Sequence, residues 1–158
     1  MGNTIVIGAR KGGVGKATTA VSLGVGLVRE GKKTLVIDAD SQRSLTASLG
    51  VMEPDKLKAT LSSVMISLIN GEDVNPAAGI IHHKEGVDLL PASNRLAGVE
   101  LALTPVACGR ELVLRGYIYS RILATWLFCR AYIACCLIMV VILPKNRCPL
   151  IDHITHCC

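Results

Sequence analysis

Lys11-Gly12-Gly13-Val14-Gly15-Lys16 places a cation at each end of a glycine-rich loop. The chemistry this composition suits is the cradling of a phosphate. Glycines at 12, 13 and 15 let the backbone curl so that successive N–H groups point inward at an anion. A helix starting near Lys16 would turn its positive end toward the same anion. Lys16 then stands where an ammonium reaches the β- and γ-phosphates of a nucleotide, and Lys11 adds a second cation. A tight turn between a strand and a helix would also use glycines, but it has no need of a lysine at each end.

The flanking segments supply the elements such a loop requires. Thr4-Ile5-Val6-Ile7 is short and β-branched and reads as a buried parallel strand. From Lys16 to Glu30 the apolar residues Ala20, Val21, Leu23, Leu27 and Val28 recur at helical spacing, and Gly31 closes the helix. Leu35-Val36-Ile37 reads as a second strand, with Asp38 at its carboxyl end. A β-α-β unit of this length implies a right-handed crossover and a parallel sheet. Ligands bind beyond the carboxyl ends of such strands, which puts Asp38 and Asp40 beside the glycine loop. Carboxylates there can hold Mg²⁺ through water or orient an attacking water; either could instead cap the following helix.

The loop departs from the pattern G-x-x-x-x-G-K-[ST] at two places. Arg10 stands where the first glycine would be, and Ala17 where the Ser/Thr would be. The second departure bears on chemistry, because that hydroxyl binds Mg²⁺ and alanine has no oxygen to offer. Thr18 is a poor substitute, since it faces roughly 100° further around the helix.

Lys11 to Lys16 resembles the deviant Walker A loop, K-G-G-x-G-K-T-T, of the ParA/MinD/Soj partitioning ATPases, in which the first lysine is the signature residue. Thr34-Leu-Val-Ile-Asp38-Ala-Asp40-Ser-Gln42 resembles the family's strand ending D-x-D-P-Q, with Ser41 in place of the proline. Leu89-Leu90-Pro91-Ala92-Ser93 and Leu96-Ala97-Gly98-Val99-Glu100 resemble its L-P-A-N … L-A-G-x-E segment, and Glu111 to Arg115 resembles the following helix more faintly. The resemblance covers about residues 3 to 117. It implies an α/β, P-loop three-layer sandwich with a mainly parallel sheet, truncated on its C-terminal side. It further implies ATP and Mg²⁺ as cofactors, with Mg²⁺ binding weakened here. Gly12, Gly13, Val14, Gly15, Lys16, Ala17 and Thr18 would contact the nucleotide, and Asp38 would lie near the metal. The catalytic residues would be Lys11, reaching a partner subunit's nucleotide, Lys16, and Asp40, activating water. The implied partners are ATP or ADP, a second copy, non-specific DNA and a ParB-like protein; a membrane is not among them. The implied location is cytoplasmic and nucleoid-associated.

The remaining segments read as scaffold. Ser44–Leu49 forms a short helix ending at Gly50, and Val51–Lys58 a polar loop. Thr60–Ile69 forms a helix stopped by Asn70-Gly71. Ile80-Ile81 and Val87–Leu90 read as strands, and Arg95–Leu103 as a helix. Between those strands His82 and His83 are adjacent. Neighbours on a strand face opposite sides, so the two do not converge on one metal ion.

Composition divides the 158 residues in two. All five aromatics (Tyr117, Tyr119, Trp126, Phe128, Tyr132) and all seven cysteines follow residue 107. Residues 1–107 carry 11 Lys/Arg against 10 Asp/Glu, and residues 108–158 carry 6 against 2, so most of the net +5 lies in the tail. The near-neutral first part gives no electrostatic argument for nucleic-acid binding. Its freedom from cysteine and the lack of an opening secretory signal favour the cytoplasm.

We therefore expect a nucleotide-binding domain over 1–117 and an atypical tail over 118–158. Where the family has an apolar strand ending in the Walker B aspartate, Ile133–Leu143 and Pro144 supply the run and the proline but no carboxylate. Three origins compete for the tail. A transmembrane segment over Ile122–Leu143 matches the roughly 20 residues a bilayer needs. Arg130 in its middle costs about 2.5–3.5 kcal/mol. A zinc site from Cys148, His153, His156, Cys157 and Cys158 has the ligand types but not a common spacing. A frameshift or truncation replacing the family's C-terminal part, the leading reading, accounts for the sudden cysteines and lost carboxylates. Besides a partitioning ATPase, a non-hydrolysing nucleotide-binding module, an inactive remnant and a tail-anchored membrane regulator follow as alternatives.

Overall fold

The computed structural model describes residues 3–9, 11–75, 77–103 and 137–143. Strand β1 (Asn3–Gly8) leads through the glycine loop into helix α1 (Lys16–Arg29), which returns to strand β2 (Lys33–Ala39). Helix α2 (Ser44–Ser48) follows, then one 3₁₀ turn (Pro54–Lys56), helix α3 (Leu61–Ile69), strands β3 (Ile81–His82) and β4 (Asp88–Leu90), helix α4 (Leu96–Leu103) and strand β5 (Leu137–Leu143). The helices and strands read from the sequence through Leu103 all form, with ends shifted by a residue or two. However, β1 is not the buried strand expected: its residues are exposed or half-buried, because it forms one edge of the sheet. The one addition is the 3₁₀ turn in the polar loop, opened by Pro54, whose fixed φ suits a first helical position.

The sheet runs β1-β5-β2-β4-β3. β2 pairs in parallel with β4 from Leu35 opposite Asp88 to Ile37 opposite Leu90. Strand β3 joins β4 antiparallel at one edge, because His83–Gly86 form a tight turn between them. β5 lies between β1 and β2 and is antiparallel to both. The sheet is therefore mixed: β1 and β2 are parallel to each other, as their helical crossover demands, but a reversed strand fills the space between them.

β2 is the centre of the molecule. Thr34 through Asp38 are all buried, as a strand covered on both faces must be. Alternate residues serve opposite layers. Val36, with Leu89, Ile138 and Val140, packs under Ala20 of α1 and Leu45 of α2. Leu35 and Ile37, with Leu90, pack against Leu61, Val64 and Met65 of α3 and Leu96 and Val99 of α4. The result is helix, sheet, helix. Gly24 lets α1 settle close on the sheet, since a Cβ there would lie 3.0 Å from Cγ2 of Val36.

β5 decides two expectations about the tail. Leu137–Leu143 is spent in the sheet, with Ile138 and Val140 wholly buried, and is not part of a membrane-crossing helix. Among the described residues no helix is long and apolar enough to cross a membrane. The direction of β5 also matters, because Leu137 pairs with Gly8 and Ala39 whereas Leu143 pairs with Lys33. Its carboxyl end thus lies at the edge of the sheet away from the glycine loop. Arg10, the segment Glu111–Arg115, the boundary at 117, Arg130, Pro144 and the zinc candidates Cys148, His153, His156, Cys157 and Cys158 lie outside the described residues.

Candidate phosphate site

The site is built where β1 and β2 end. β1 releases the chain at Gly8, and α1 begins at Lys16 with no side-chain cap on its opening amides. Those amides have no partner within a helix and present a partial positive charge. Gly13 and Gly15 adopt φ of 73° and 83°, a left-handed conformation that side chains with a Cβ rarely take. Among the described residues, no atom beyond the adjoining residues lies within 4 Å of where a Cβ would stand at Gly12, Gly13 or Gly15, so the loop is uncrowded there. Val14 and Thr18 are exposed.

The two lysines are held differently. Lys11 is exposed, as a cation aimed outward would be. Lys16 is buried, and its Nζ donates to the Lys11 carbonyl at 3.5 Å, so the loop closes on its own cation. The same Nζ lies 3.6 Å from Oδ2 of Asp40, whose side chain is also buried. Oδ1 of Asp40 accepts the N–H of Gln42 at 2.9 Å, which fixes the carboxylate's orientation. The expected meeting of Asp40 with the loop is present.

Asp38 is occupied by its own chain. It has no exposed surface, and its Oδ2 accepts the N–H of Thr46 at 2.8 Å and the Thr46 hydroxyl at 2.6 Å. Oδ1 accepts the N–H of Asp40 at 3.2 Å. Burial raises its pKa above the ordinary 3.8, against the opposing effect of the Thr46 hydrogen bonds. Thr46 is equally buried and its Oγ1 also accepts the N–H of Ala92 at 3.1 Å. One hydroxyl thus ties the end of β2, the start of α2 and the Pro91–Ser93 segment together.

Sequence reasoning passed over Thr46. Its signal was a hydroxyl residue three before Leu49 and next to Leu45, on the inward side of a short helix. A second tie, also missed, joins the 3₁₀ turn at the surface to Asn94, just after Ser93, and to Arg43, just before α2. Asp55 accepts from the Asn94 N–H at 3.2 Å and from Asn94 Nδ2 at 2.7 Å, and lies 3.8 Å from Arg43 Nη1. The histidines do not share a partner. His82 pairs with Asp88 across β3 and β4, and His83 Nδ1 accepts the N–H of Glu85 at 3.2 Å.

These residues fit a phosphate chain: a helix N-terminus without a side-chain cap, a buried lysine and a second, exposed lysine. They do not fit a directly coordinated divalent cation. Ala17 offers a methyl group that packs toward the α1–α2 cluster, and both Asp38 oxygens are already hydrogen-bonded. Among the described residues no group of three or more His, Cys, Asp or Glu side chains could hold a metal ion.

Comparison with known proteins places the chain. A family model described as an AAA domain matches residues 2–123. The chromosome-partitioning ATPase Soj of Thermus thermophilus is 39% identical over 115 residues, covering 72% of this chain and 42% of that protein. The chromosome partitioning protein ParA of Caulobacter vibrioides is 37% identical over 103 residues, covering 65% and 37%. Among solved structures, cobyrinic acid a,c-diamide synthase from Mycobacterium smegmatis, crystallised with an ATP analogue and magnesium, is similar with a TM-score of 0.62 and 39% identity, covering 71% of this chain and 43% of that one. Cyanothece McdA(D38A) in complex with ATP gives 0.58 and 28%, covering 72% and 42%.

The fold is that of the P-loop ATPases. The chain belongs to the family that this AAA-domain model defines, and within it to the ParA/MinD-type partitioning ATPases. It spans about two fifths of the length of the curated relatives it matches.

Proposed function

We propose that residues 11–18 form the nucleotide-phosphate site of a ParA-like partitioning ATPase, with ATP or ADP as the ligand. The observation that carries this is the closed-in Lys16, buried against the Lys11 carbonyl in an uncrowded glycine loop at the start of α1. The amides of Gly12 to Thr18 hold the phosphates, and Lys16 neutralises those nearest the hydrolysed bond. Asp40 orients the attacking water. Magnesium accompanies an ATP analogue in the similar cobyrinic acid a,c-diamide synthase structure, and this chain holds Mg²⁺ weakly, because residue 17 is alanine. Asp38 acts on the site through the loop that carries Asp40.

Lys11, exposed beside the loop, suits a role across a dimer, where it would reach the nucleotide of a second copy. On this reading ATP drives dimerisation, the dimer binds DNA without sequence preference, and a ParB-like partner stimulates hydrolysis in the cytoplasm at the nucleoid. The test is analytical ultracentrifugation with and without a non-hydrolysable ATP analogue. A nucleotide-dependent dimer that Lys11→Ala abolishes, without loss of nucleotide binding, supports it. A monomer under both conditions, or a dimer indifferent to Lys11, contradicts it.

A second reading has its own support. With Leu137 at the site end of β5 and alanine at 17, two positions that would supply metal chemistry are apolar. A module that binds ATP without turning it over follows from that. Binding with no phosphate release above background distinguishes it from the ATPase.

A further inference from the structure

We infer that Asp40 is a specificity-determining residue: its carboxylate occupies Lys16 and makes the loop favour a nucleoside diphosphate over a triphosphate when no divalent cation is present. The inference rests on the phosphate-site reading and adds to it which phosphate chain the protein's own residues select.

Lys16 is the buried cation of the loop, and Asp40 is 3.6 Å from it. Both side chains are nearly shut off from water, at 8% and 3% exposed, so their attraction is weakly screened. The carboxylate cannot swing away freely, because Gln42 N–H holds Oδ1 and the turn from Asp40 to Arg43 is closed by a 2.9 Å backbone hydrogen bond. Arg43 itself sits at φ 57°, a conformation uncommon outside glycine, Asn and Asp, so the turn is shaped with little freedom.

Consider what each ligand asks of this arrangement. The first two phosphates of a nucleotide can rest on the loop and helix amides, which are neutral dipoles. The third adds negative charge at the lysine end. It must share Lys16 with Asp40 and approach a carboxylate that is fixed and poorly solvated. A buried carboxylate losing its cation is costly, as is a second anion brought beside it. The second phosphate also meets Lys16, but the third brings further charge beside the fixed carboxylate, so both penalties fall more heavily on the triphosphate. Neither needs a metal, and Ala17 leaves the protein without the hydroxyl that would help relieve them.

The measurement is the ratio of dissociation constants for a fluorescent ADP and a fluorescent non-hydrolysable ATP analogue, in EDTA, on the full chain. Asp40→Asn and Asp40→Ser should shift the ratio toward the triphosphate by about tenfold, equivalent to about 1.4 kcal/mol. Asp40→Glu retains the charge and should shift it by less than either. A ratio unchanged within twofold in both uncharged variants, or one that moves toward the diphosphate, overturns the inference. Lys16→Ala separates the two levels. If it weakens both nucleotides while Asp40 variants leave the ratio alone, the phosphate site stands and the selectivity does not. If it changes neither affinity, or if the wild type binds neither probe, the phosphate site falls and the selectivity with it.

Discussion

The hydroxyl of Thr46 donates to Oδ2 of Asp38 at 2.6 Å while accepting the N–H of Ala92 at 3.1 Å. Three segments meet at this one oxygen, and none of the groups involved can reach water. Asp38 is therefore a hub of the scaffold under the site. Asp40, two residues on, is what the hub presents to Lys16.

Replacing Thr46 by valine keeps the shape and removes the hydroxyl. Asp38 loses a charge-assisted hydrogen bond and the Ala92 N–H is left buried and unpaired. The expected loss of stability is about 3 kcal/mol. Thr46→Ser keeps both bonds and forfeits a buried methyl, for about 1 kcal/mol. Urea unfolding midpoints measure both. Equal losses in the two variants would mean that packing, not the hydroxyl, is what Thr46 contributes.

Asp38 also gives the fold a pH dependence of definite sign. Its folded pKa is raised by burial above the ordinary 3.8, so in the window just above that value the folded state binds more protons than the unfolded one. The contribution of Asp38 is then fully present below the unfolded pKa and is lost as pH rises through the folded pKa. Stability of the wild type relative to Asp38→Asn should fall as pH is raised from about 3.8. A relative stability that climbs with pH would show that the Thr46 hydrogen bonds outweigh desolvation.

Two glycines of α1 make a matched pair. At Gly24 an added Cβ would meet Val36 Cγ2 at 3.0 Å, against a fully buried strand residue with little room to yield. At Gly26 nothing among the described residues lies within 4 Å. Gly26→Ala should gain up to about 1 kcal/mol from helix propensity. Gly24→Ala should lose about 1 kcal/mol despite the same gain, because overpacking costs about 1–3. Thermal midpoints in the order Gly26→Ala, wild type, Gly24→Ala are expected. A Gly24→Ala protein more stable than wild type would contradict the close approach of α1 to β2.

Much of this was legible in the residues. The glycines and flanking lysines announced the loop, the β-branched runs announced β1 and β2, and the position of Asp40 after an apolar strand placed it at the loop's mouth. The parts that were not legible share a physical cause. The reversal of β5 depends on which strand fills a gap in the sheet, and an apolar run such as Leu137–Leu143 reads the same in either direction. The Asp38–Thr46–Ala92 tie depends on tertiary proximity. A carboxylate at a strand end looks alike whether it faces a metal or a threonine. The helix-capping possibility came nearest, since the Thr46 amide is in the first turn of α2.

The alanine at position 17 yields a gain-of-function expectation. Ala17→Thr restores a hydroxyl directly after Lys16, where a P-loop provides a metal ligand. Mg²⁺ should then strengthen ATP binding by at least about tenfold more in the variant than in the wild type, read by titration with and without EDTA. The same Mg²⁺ effect in both proteins would show that residue 17 does not limit metal binding.

The claim on which the rest depends is that the Lys11–Lys16 loop binds nucleotide phosphate. The direct measurement is isothermal titration of the chain with ADP, beside Lys16→Ala checked for an unchanged circular-dichroism spectrum. Saturable binding to the wild type, weakened at least tenfold in the variant, is the predicted result. A folded wild type that gives no heat of binding and no ADP-dependent rise in melting temperature, or a variant that binds as tightly, would contradict it.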